Sequence, residues 1–342
     1  MRLMPVVYIV SYLLITSIAA NAGQEVIVLH TPPDRTVIEY DILNLSLEVT
    51  KGAVDLIKVT VDGKDRKEIV PDLGFECFSV ILNKLGTSTV EVSAFKGETL
   101  VATFVRNVFR RSDLVGEYRK PPLSFKISGF HMEAHPECRK CHVLEVSGYD
   151  KKPISPSTFA SEKFSSEQIF AATSTCYSCH KSITKKPYVH GPASVWSCLS
   201  CHDNNAAIRY SVRKPVKDVC YGCHVEQKKE WNSKKYIHGP VNVGKCTICH
   251  SPHSSNYAFN LFKSTWDLCV NCHAEKATGQ HVLGDTMFKK GHPTKGRKDP
   301  VRIGKELTCA SCHNPHASNY PHLWAFEVND VFELCKKCHF DK

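Results

Sequence analysis

Methionine and long apolar runs are scarce in this 342-residue sequence, and one long stretch has almost no cysteine or histidine. Of its four methionines, only Met132 and Met287 lie beyond the first few residues, so methionine can supply a metal ligand at two sites at most. The uncharged apolar run from Val6 to Ala19 is too short for a transmembrane span, and we expect none. Residues 24–112 hold one cysteine and one histidine, which leaves that stretch without evident chemistry.

The first 22 residues have the features of an export signal. Arg2 precedes the apolar run, and Ala20-Asn21-Ala22 has the A-x-A form of a signal-peptidase site. The first cysteine is Cys77, so no residue near this site could carry a lipid. We expect residues 1–22 to be a signal peptide and the protein to be exported, to the periplasm or to the outer membrane and cell surface. An uncleaved anchor is the alternative.

Residues 23–112 have the alternating pattern of short β-strands. Leu43 to Val49 places leucine and valine on one face and polar residues on the other, and Ile57 to Val61 repeats this before a hairpin signal at Asp62-Gly63. Six or seven strands in about 90 residues predict an antiparallel sandwich. The pattern resembles bacterial Ig-like or fibronectin-III-like modules. Further strands are predicted at 26–29, 78–82, 89–95 and 100–108.

The two residues of this module that could carry chemistry have simpler interpretations. Cys77 is predicted to be a small buried hydrophobe, with an intermolecular disulfide or a reactive thiol as alternatives. His30 is predicted to lie on the surface. A linker is expected at residues 113–130, where a charged stretch is followed by Pro121-Pro122.

Cysteine is concentrated in residues 131–342, where CxxCH occurs eight times and uses sixteen of the seventeen cysteines. CxxCH is the attachment signal for c-type haem: the thiols add to the porphyrin vinyl groups and the histidine binds the iron. Side chains at i, i+3 and i+4 share one face of a helical turn, so all three reach one haem. The predicted attachment residues are Cys138, Cys141, Cys176, Cys179, Cys198, Cys201, Cys220, Cys223, Cys246, Cys249, Cys269, Cys272, Cys309, Cys312, Cys335 and Cys338. The predicted proximal ligands are His142, His180, His202, His224, His250, His273, His313 and His339.

Zinc ribbons and redox disulfides are the alternatives for any single CxxC, and the separation of Cys179 from Cys198 is ribbon-like. Neither alternative needs a histidine directly after the second cysteine, so eight covalent haems c are predicted. The motifs fall into four repeats of two. So many haems in residues 131–342 would themselves form the core of a mostly α or irregular domain, and the whole chain would have two domains.

The sixth ligand of each iron sets its redox potential, which methionine raises and histidine lowers. Tails of the form CxxCHxPH supply His253 and His316 in repeats three and four, whereas repeats one and two have Glu145 and Asn205 there. His322 lies in a loop-like sequence and is less favoured. The candidate distal ligands are His131, His135, His190, His238, His253, His281, His292 and His316.

The formal net charge of +10 does not indicate a nucleic-acid partner. Haem propionates would offset much of the basic surplus. The expected partners are redox proteins, either other cytochromes or a terminal reductase, and self-assembly is a further expectation.

The sequences HGPVNVGKCTICHSPH at 238–253 and CASCHNPH at 309–316 resemble the doubled-CxxCH multihaem cytochromes. That resemblance implies an exported electron carrier of anaerobic respiration, with closely spaced, mostly bis-histidine haems and no catalytic residues. The main alternative is an octahaem reductase of nitrite, hydroxylamine or a sulfur oxyanion, with one open haem. Such reductases often mark that haem with a lysine or a widened motif, and all eight motifs here are plain CxxCH. A haem-storage or structural protein is the third class.

Overall fold

The computed structural model describes residues 26–72, 74–127, 130–132, 135–140, 142–146, 174–278, 281 and 291–339. The predicted signal peptide lies outside these ranges. Within them, no helix is both long enough and apolar enough to cross a bilayer. An all-β region between residues 27 and 110 is followed by a more helical and irregular region that carries the CxxCH motifs.

The β region is built from two sheets. Its strands are β1 (Ile27–Thr31), β2 (Thr36–Ile38), β3 (Ile42–Val49), β4 (Leu56–Val61), β5 (Lys64–Ile69), β6 (Phe75–Ile81), β7 (Gly86–Lys96), β8 (Thr99–Arg110) and β9 (Lys126–Ile127). One sheet is antiparallel with the order β1-β3-β6. The other has the order β5-β4-β7-β8-β2-β9, in which β2 runs parallel to β8 and β9. The last of these strands lies in the predicted linker.

An aliphatic core fills the space between the two sheets. Alternate residues of β4 are buried, with Ile57, Val59 and Val61 at 2% exposure or less, as the period of two in the sequence predicts. Leu45 and Leu47 meet them from the facing sheet. This core cluster consists entirely of residues between 27 and 108, so it belongs to the β region alone.

The hairpin predicted at Asp62-Gly63 is confirmed. Val61 pairs with Lys64, and the two residues between them have φ values of 52° and 73°. A two-residue turn with positive φ at both positions matches the twist of the flanking strands, which explains the Asp-Gly sequence.

The prediction that Cys77 is a buried hydrophobe is wrong. Its neighbours Phe78 and Val80 face the core side of β6, so the alternation of the strand turns Cys77 outward, where it is exposed. His30 is half-buried: its ring stacks on Phe75 at 5.5 Å. Both residues lie on the sheet that faces the first CxxCH motif.

The CxxCH region contains short helices, 3-10 turns and two-residue strands. The α-helices among the described residues of this region are α1 (Pro136–Arg139), α2 (Tyr177–His180), α3 (Gly191–Ser194), α4 (Val216–Tyr221), α5 (Val225–Asn232), α6 (Gly239–Asn242), α7 (Thr265–Val270) and α8 (Val331–Lys336). Its strands are β10 (Tyr188–Val189), β11 (His202–Asp203), β12 (Ser211–Val212), β13 (Tyr236–Ile237), β14 (Ser254–Ser255) and β15 (Ala317–Ser318). Other 3-10 turns include Cys198–Ser200, Cys246–Ile248 and Cys309–Ser311.

The smaller sheet of the β region touches the CxxCH region directly. Lys140 in the first motif donates to Glu48 of β3 at 3.2 Å. Lys186, between the second and third motifs, bonds Asp41 at 3.1 Å. The ring of Tyr40 lies 5.1 Å from that of His253.

Candidate haem sites

Each CxxCH motif forms a tight turn. In seven of the eight motifs the histidine amide donates to the carbonyl of the first cysteine, the hydrogen bond of one α-helical turn. These seven histidines are His142, His180, His224, His250, His273, His313 and His339. In the remaining motif the shorter bond from Cys201 N to Cys198 O closes the turn. The turn therefore places cysteines and histidine on one face, as the spacing predicts, although Cys141 itself lies outside the described residues.

Seven motif histidines each face a second histidine ring. The pairs, with the distances between ring centroids, are His131 with His180 (6.0 Å), His253 with His202 (6.1 Å), His190 with His224 (6.1 Å), His316 with His250 (6.0 Å), His238 with His273 (6.4 Å), His281 with His313 (5.7 Å) and His292 with His339 (6.3 Å). Every pair joins one motif histidine to one histidine from outside the motifs.

The separation within these pairs fits an iron between the two rings. Metal–nitrogen bonds of about 2 Å, with each ring centroid about 1 Å behind its nitrogen, place the two centroids roughly 6 Å apart. The seven pairs span 5.7 to 6.4 Å, so each pair of rings could hold an iron between them. When bound there, haem would supply reversible one-electron chemistry at the iron.

Backbone carbonyls orient the motif histidines that open repeats two to four. Their Nδ1 atoms donate to the carbonyls of Tyr210 (2.5 Å), Phe259 (2.8 Å) and His322 (2.7 Å). All three residues that supply the accepting carbonyl have positive φ, between 56° and 63°, which turns each peptide toward its histidine. A hydrogen bond at Nδ1 fixes the tautomer and leaves Nε2 for a metal.

Two of the non-motif histidines are held by the tail of the following repeat. His190 donates from its amide to His253 O and from Nδ1 to Pro252 O, at 2.8 and 3.1 Å. His238 makes the same two bonds to His316 O and Pro315 O, at 2.8 and 2.9 Å. Beside them β10 pairs with β14, and β13 with β15. Each tail thus positions two histidines at once, its own and that of the preceding HGP segment.

Burial lowers the pKa of several of the paired imidazoles. It lowers the pKa of His253 to about 3 and of His316 to about 4, with neighbouring imidazoles adding to the effect. Burial also lowers the pKa of His190 and of His238. Because only a neutral imidazole offers its lone pair to a metal, these residues are ready to bind iron at neutral pH.

Cysteines of successive motifs lie close to one another in space. The Cys246 thiol raises the pKa of Cys220, and the Cys309 thiol raises that of Cys269, so each pair brings the last motif of one repeat close to the first of the next. Within repeats, Cys249 interacts electrostatically with Cys272. In a haem-loaded chain these sulfurs are thioethers at porphyrin edges, so neighbouring sulfurs mean neighbouring haem edges.

The first motif differs from the other seven. All eighteen histidines lie in the described part of the chain, and none of their rings stacks opposite His142. His135, predicted as a distal ligand, instead stacks on Phe130 at 3.9 Å and uses both ring nitrogens, with Phe130 O at 2.7 Å and with Glu137 at 3.1 Å.

The backbone carbonyls that accept hydrogen bonds from the histidines were not predicted from the sequence. The carbonyls that orient the histidines belong to residues of varied type, because a carbonyl places no demand on the side chain. Only the repeated proline-histidine tail pointed to some of them. The ring of Trp231 stacks on that of His316 at 4.3 Å.

Replacing Asp299 with asparagine is expected to destabilise the seventh motif. The buried Asp299 carboxylate accepts from Arg302 Nε at 2.7 Å and from Ser311 Oγ, between the two motif cysteines, at 2.6 Å. Hydrogen bonds to a charged group contribute about 1.5–3 kcal/mol, so Asp299→Asn should lower the free energy of unfolding by that amount. Urea titration of the haem-loaded protein, followed in the Soret band, measures it.

These hydrogen bonds hold the pKa of Asp299 well below its usual value of 3.8. The stabilisation is therefore complete above pH 3.8 and is lost as the pH falls further, and Asp299→Asn should reduce that loss. Glu306→Gln, an exposed acceptor in the same loop, is the control and should change stability by less than about 0.5 kcal/mol. Equal effects of the two variants would contradict the assignment.

Repeated CxxCH turns, paired imidazoles and neighbouring cysteine sulfurs define a multihaem c-type cytochrome. A family model described as the doubled CXXCH motif matches residues 190–229, 238–278 and 299–342. These three segments carry the doubled CxxCH motif, as the sequence predicts.

A curated relative supports the same class. The chain is 30% identical over 199 residues to the multiheme cytochrome MtrA of Shewanella baltica (strain OS185), a match covering 49% of this chain and 53% of the relative. The chain thus spans about half the length of that relative. Electron transfer through covalently bound haem c is consistent with this likeness.

Solved structures match about a quarter of the chain. They include fibronectin(III)-like modules of Clostridium thermocellum CbhA, at 12% identity, a TM-score of 0.21, and coverage of 25% of this chain and 94% of that one. A Jonesia denitrificans lytic polysaccharide monooxygenase matches at 12% identity and a TM-score of 0.20, over 25% of this chain and 78% of that one. TM-scores this low do not establish a shared fold.

Proposed function

We propose that this protein is an exported octahaem electron carrier of anaerobic respiration. The observation that carries the proposal is the set of seven histidine pairs at the spacing of bis-histidine iron. In the proposal the sixteen motif cysteines attach eight haems, the eight motif histidines are proximal ligands, and the seven partner histidines are distal ligands. An iron with two histidine ligands has no free position for a substrate, which favours transfer of electrons over catalysis.

The order of the motifs supports a continuous path. The interaction of Cys220 with Cys246 would bring the fourth haem next to the fifth, and that of Cys269 with Cys309 the sixth next to the seventh. His180 and His202 interact electrostatically between the second and third motifs. In the proposal the haems therefore follow one another in chain order, and electrons pass between adjacent edges. Histidine ligation at both faces would keep the potentials low.

The domain arrangement within this proposal follows the composition of the chain. Residues 1–22 direct export, residues 23–112 form an Ig-like sandwich, residues 113–130 are a linker and residues 131–342 are the haem domain. The sandwich would dock a redox partner, a surface or a second copy, in the periplasm or at the outer membrane. Contacts of its smaller sheet with the first motif support a role beside the first haem.

An octahaem reductase remains the second candidate. The observation that favours it is His142, which has no second imidazole opposite it among the eighteen described histidines. Nitrite, hydroxylamine or a sulfur oxyanion would then be the substrate.

Single-turnover oxidation tests the carrier against the reductase. Haem-loaded protein is weighed by denaturing mass spectrometry, fully reduced, and mixed with excess ferric citrate, nitrite or hydroxylamine. We expect a mass for eight haems and delivery of eight electrons to ferric citrate. With a steady supply of reductant, nitrite and hydroxylamine should be consumed no faster than with free haem. Sustained enzymatic turnover of either would contradict the carrier.

A further inference from the structure

One haem site is built differently from the other seven. The eighteen histidines of the chain all lie in the described residues, and fourteen of them form the seven pairs. The four others are His30, His135, His142 and His322. Of these, His142 alone belongs to a CxxCH motif.

The pattern of the repeats explains why no second histidine lies opposite His142. The first motif histidine of repeat two, His202, is paired with the tail histidine of repeat three, His253, and His250 of repeat three is paired with His316 of repeat four. By the same rule, the first motif of repeat one would draw its ligand from the tail of repeat two. That position is Asn205, an exposed residue whose amide bonds Asp203 at 2.8 Å.

The remaining histidines are engaged elsewhere. His135 stacks on Phe130, and both of its ring nitrogens are used, by Phe130 O and by Glu137. The ring of His322 lies 5.6 Å from that of Trp324, in repeat four. His30 bonds Glu48 at 3.3 Å. None is placed as the partner histidines of the other seven motifs are placed.

Charged and polar groups surround the first attachment cysteine. Glu137, which precedes Cys138, lies 4.0 Å from His30 Nδ1 and 3.1 Å from His135 Nδ1. Lys140 and His30 both reach Glu48 of the β region. At the other motifs the paired imidazoles leave no room for a further ligand, whereas no second imidazole fills that place opposite His142.

We propose that the haem attached at Cys138 and Cys141 has His142 as its only histidine ligand and binds a small exogenous ligand in its sixth position. The ligand class comprises small molecules and anions that coordinate haem iron through a lone pair, such as carbon monoxide, cyanide, nitrite and hydroxylamine. This inference rests on the proposed function in one respect, the loading of all eight motifs with haem.

The test uses carbon monoxide as the ligand. The number of haems per chain is measured first, by denaturing mass spectrometry. A denaturing mass below eight haems would contradict the loading itself, whatever the ligand result. With eight haems present, titration of the dithionite-reduced protein should show one carbon monoxide bound per chain. The oxidised protein should show a high-spin ferric EPR signal of one haem per chain. No binding and only low-spin signals would overturn the proposal, including the case in which a methionine closes the site.

Two variants locate the site. His135→Ala should bind one carbon monoxide per chain, as the wild type should. If the wild type instead bound none and this variant bound one, His135 would be the distal ligand and the proposal would be overturned. Cys138→Ala with Cys141→Ala should lower the haem count to seven and abolish binding; binding retained by the seven-haem protein would place the open iron elsewhere. His190→Ala, which opens a paired site, should raise binding by one equivalent and calibrates the assay. Should a variant fail to fold, the wild-type titration and EPR spectrum still decide.

Discussion

Replacing His316 with alanine is expected to convert one low-spin haem to high spin, and that haem is attached in a different repeat. His316 lies in repeat four, and its ring centroid is 6.0 Å from that of His250 in repeat three. If iron lies between them, the variant leaves a five-coordinate site at a motif whose own residues are intact. EPR of the oxidised protein should gain one high-spin haem per chain, and carbon monoxide binding should rise by one.

Two further variants identify the altered haem. His322→Ala is the matched control in the same repeat, because the structural contribution of His322 to His313 is its carbonyl, which alanine keeps. It should leave the EPR spectrum unchanged. Combining His316→Ala with Cys246→Ala and Cys249→Ala removes the affected haem, so the added signal should vanish. An added signal that persists in the triple variant would show that His316 serves another iron.

Leu47→Ala is expected to lower the free energy of unfolding of the β region by about 2–5 kcal/mol, the range for a buried leucine that leaves a cavity. Leu47 has 0% exposure and lies at the centre of the core between the two sheets. The change can be measured by pulse proteolysis in increasing urea, following the fragment that spans residues 24–112.

Leu100→Ala supplies the matched control. Leu100 is on β8 and 54% exposed, so its truncation should change stability by less than about 0.5 kcal/mol. If Leu47→Ala were as mild as this control, the packing of the two sheets against each other would be wrong.

The sequence predicted those features that depend on local spacing. Strand alternation from Leu43 to Val49 located the core face, because a period of two leaves little choice of orientation. Asp62-Gly63 located a hairpin, because few residues adopt positive φ. The CxxCH spacing located the haem turns for the same kind of local reason.

Features that depend on distant contacts were not predictable in this way. The pairing of histidines depends on how the repeats pack against one another. Spacing alone could not show that His253 of repeat three faces His202 of repeat two. Cys77 was misplaced because an apolar-looking neighbourhood, Phe-Glu-Cys-Phe, does not show which side of β6 is covered. His135 has the right residue type near a motif, yet Phe130 and Glu137 hold its ring.

The supply of ligands from one repeat to the preceding one gives the maturation of this protein a direction in time. A chain grows from its N terminus, so the motif at Cys198 is made before the segment that contains His253. On the proposed ligation, its haem stays half-coordinated until the next repeat has been synthesised and folded. In repeat four the first motif histidine, His313, is instead paired with His281, which precedes it in the chain. The second motif histidine of repeat four, His339, is likewise paired with a preceding residue, His292, so on the proposed ligation the haems of this repeat need no later segment of the chain.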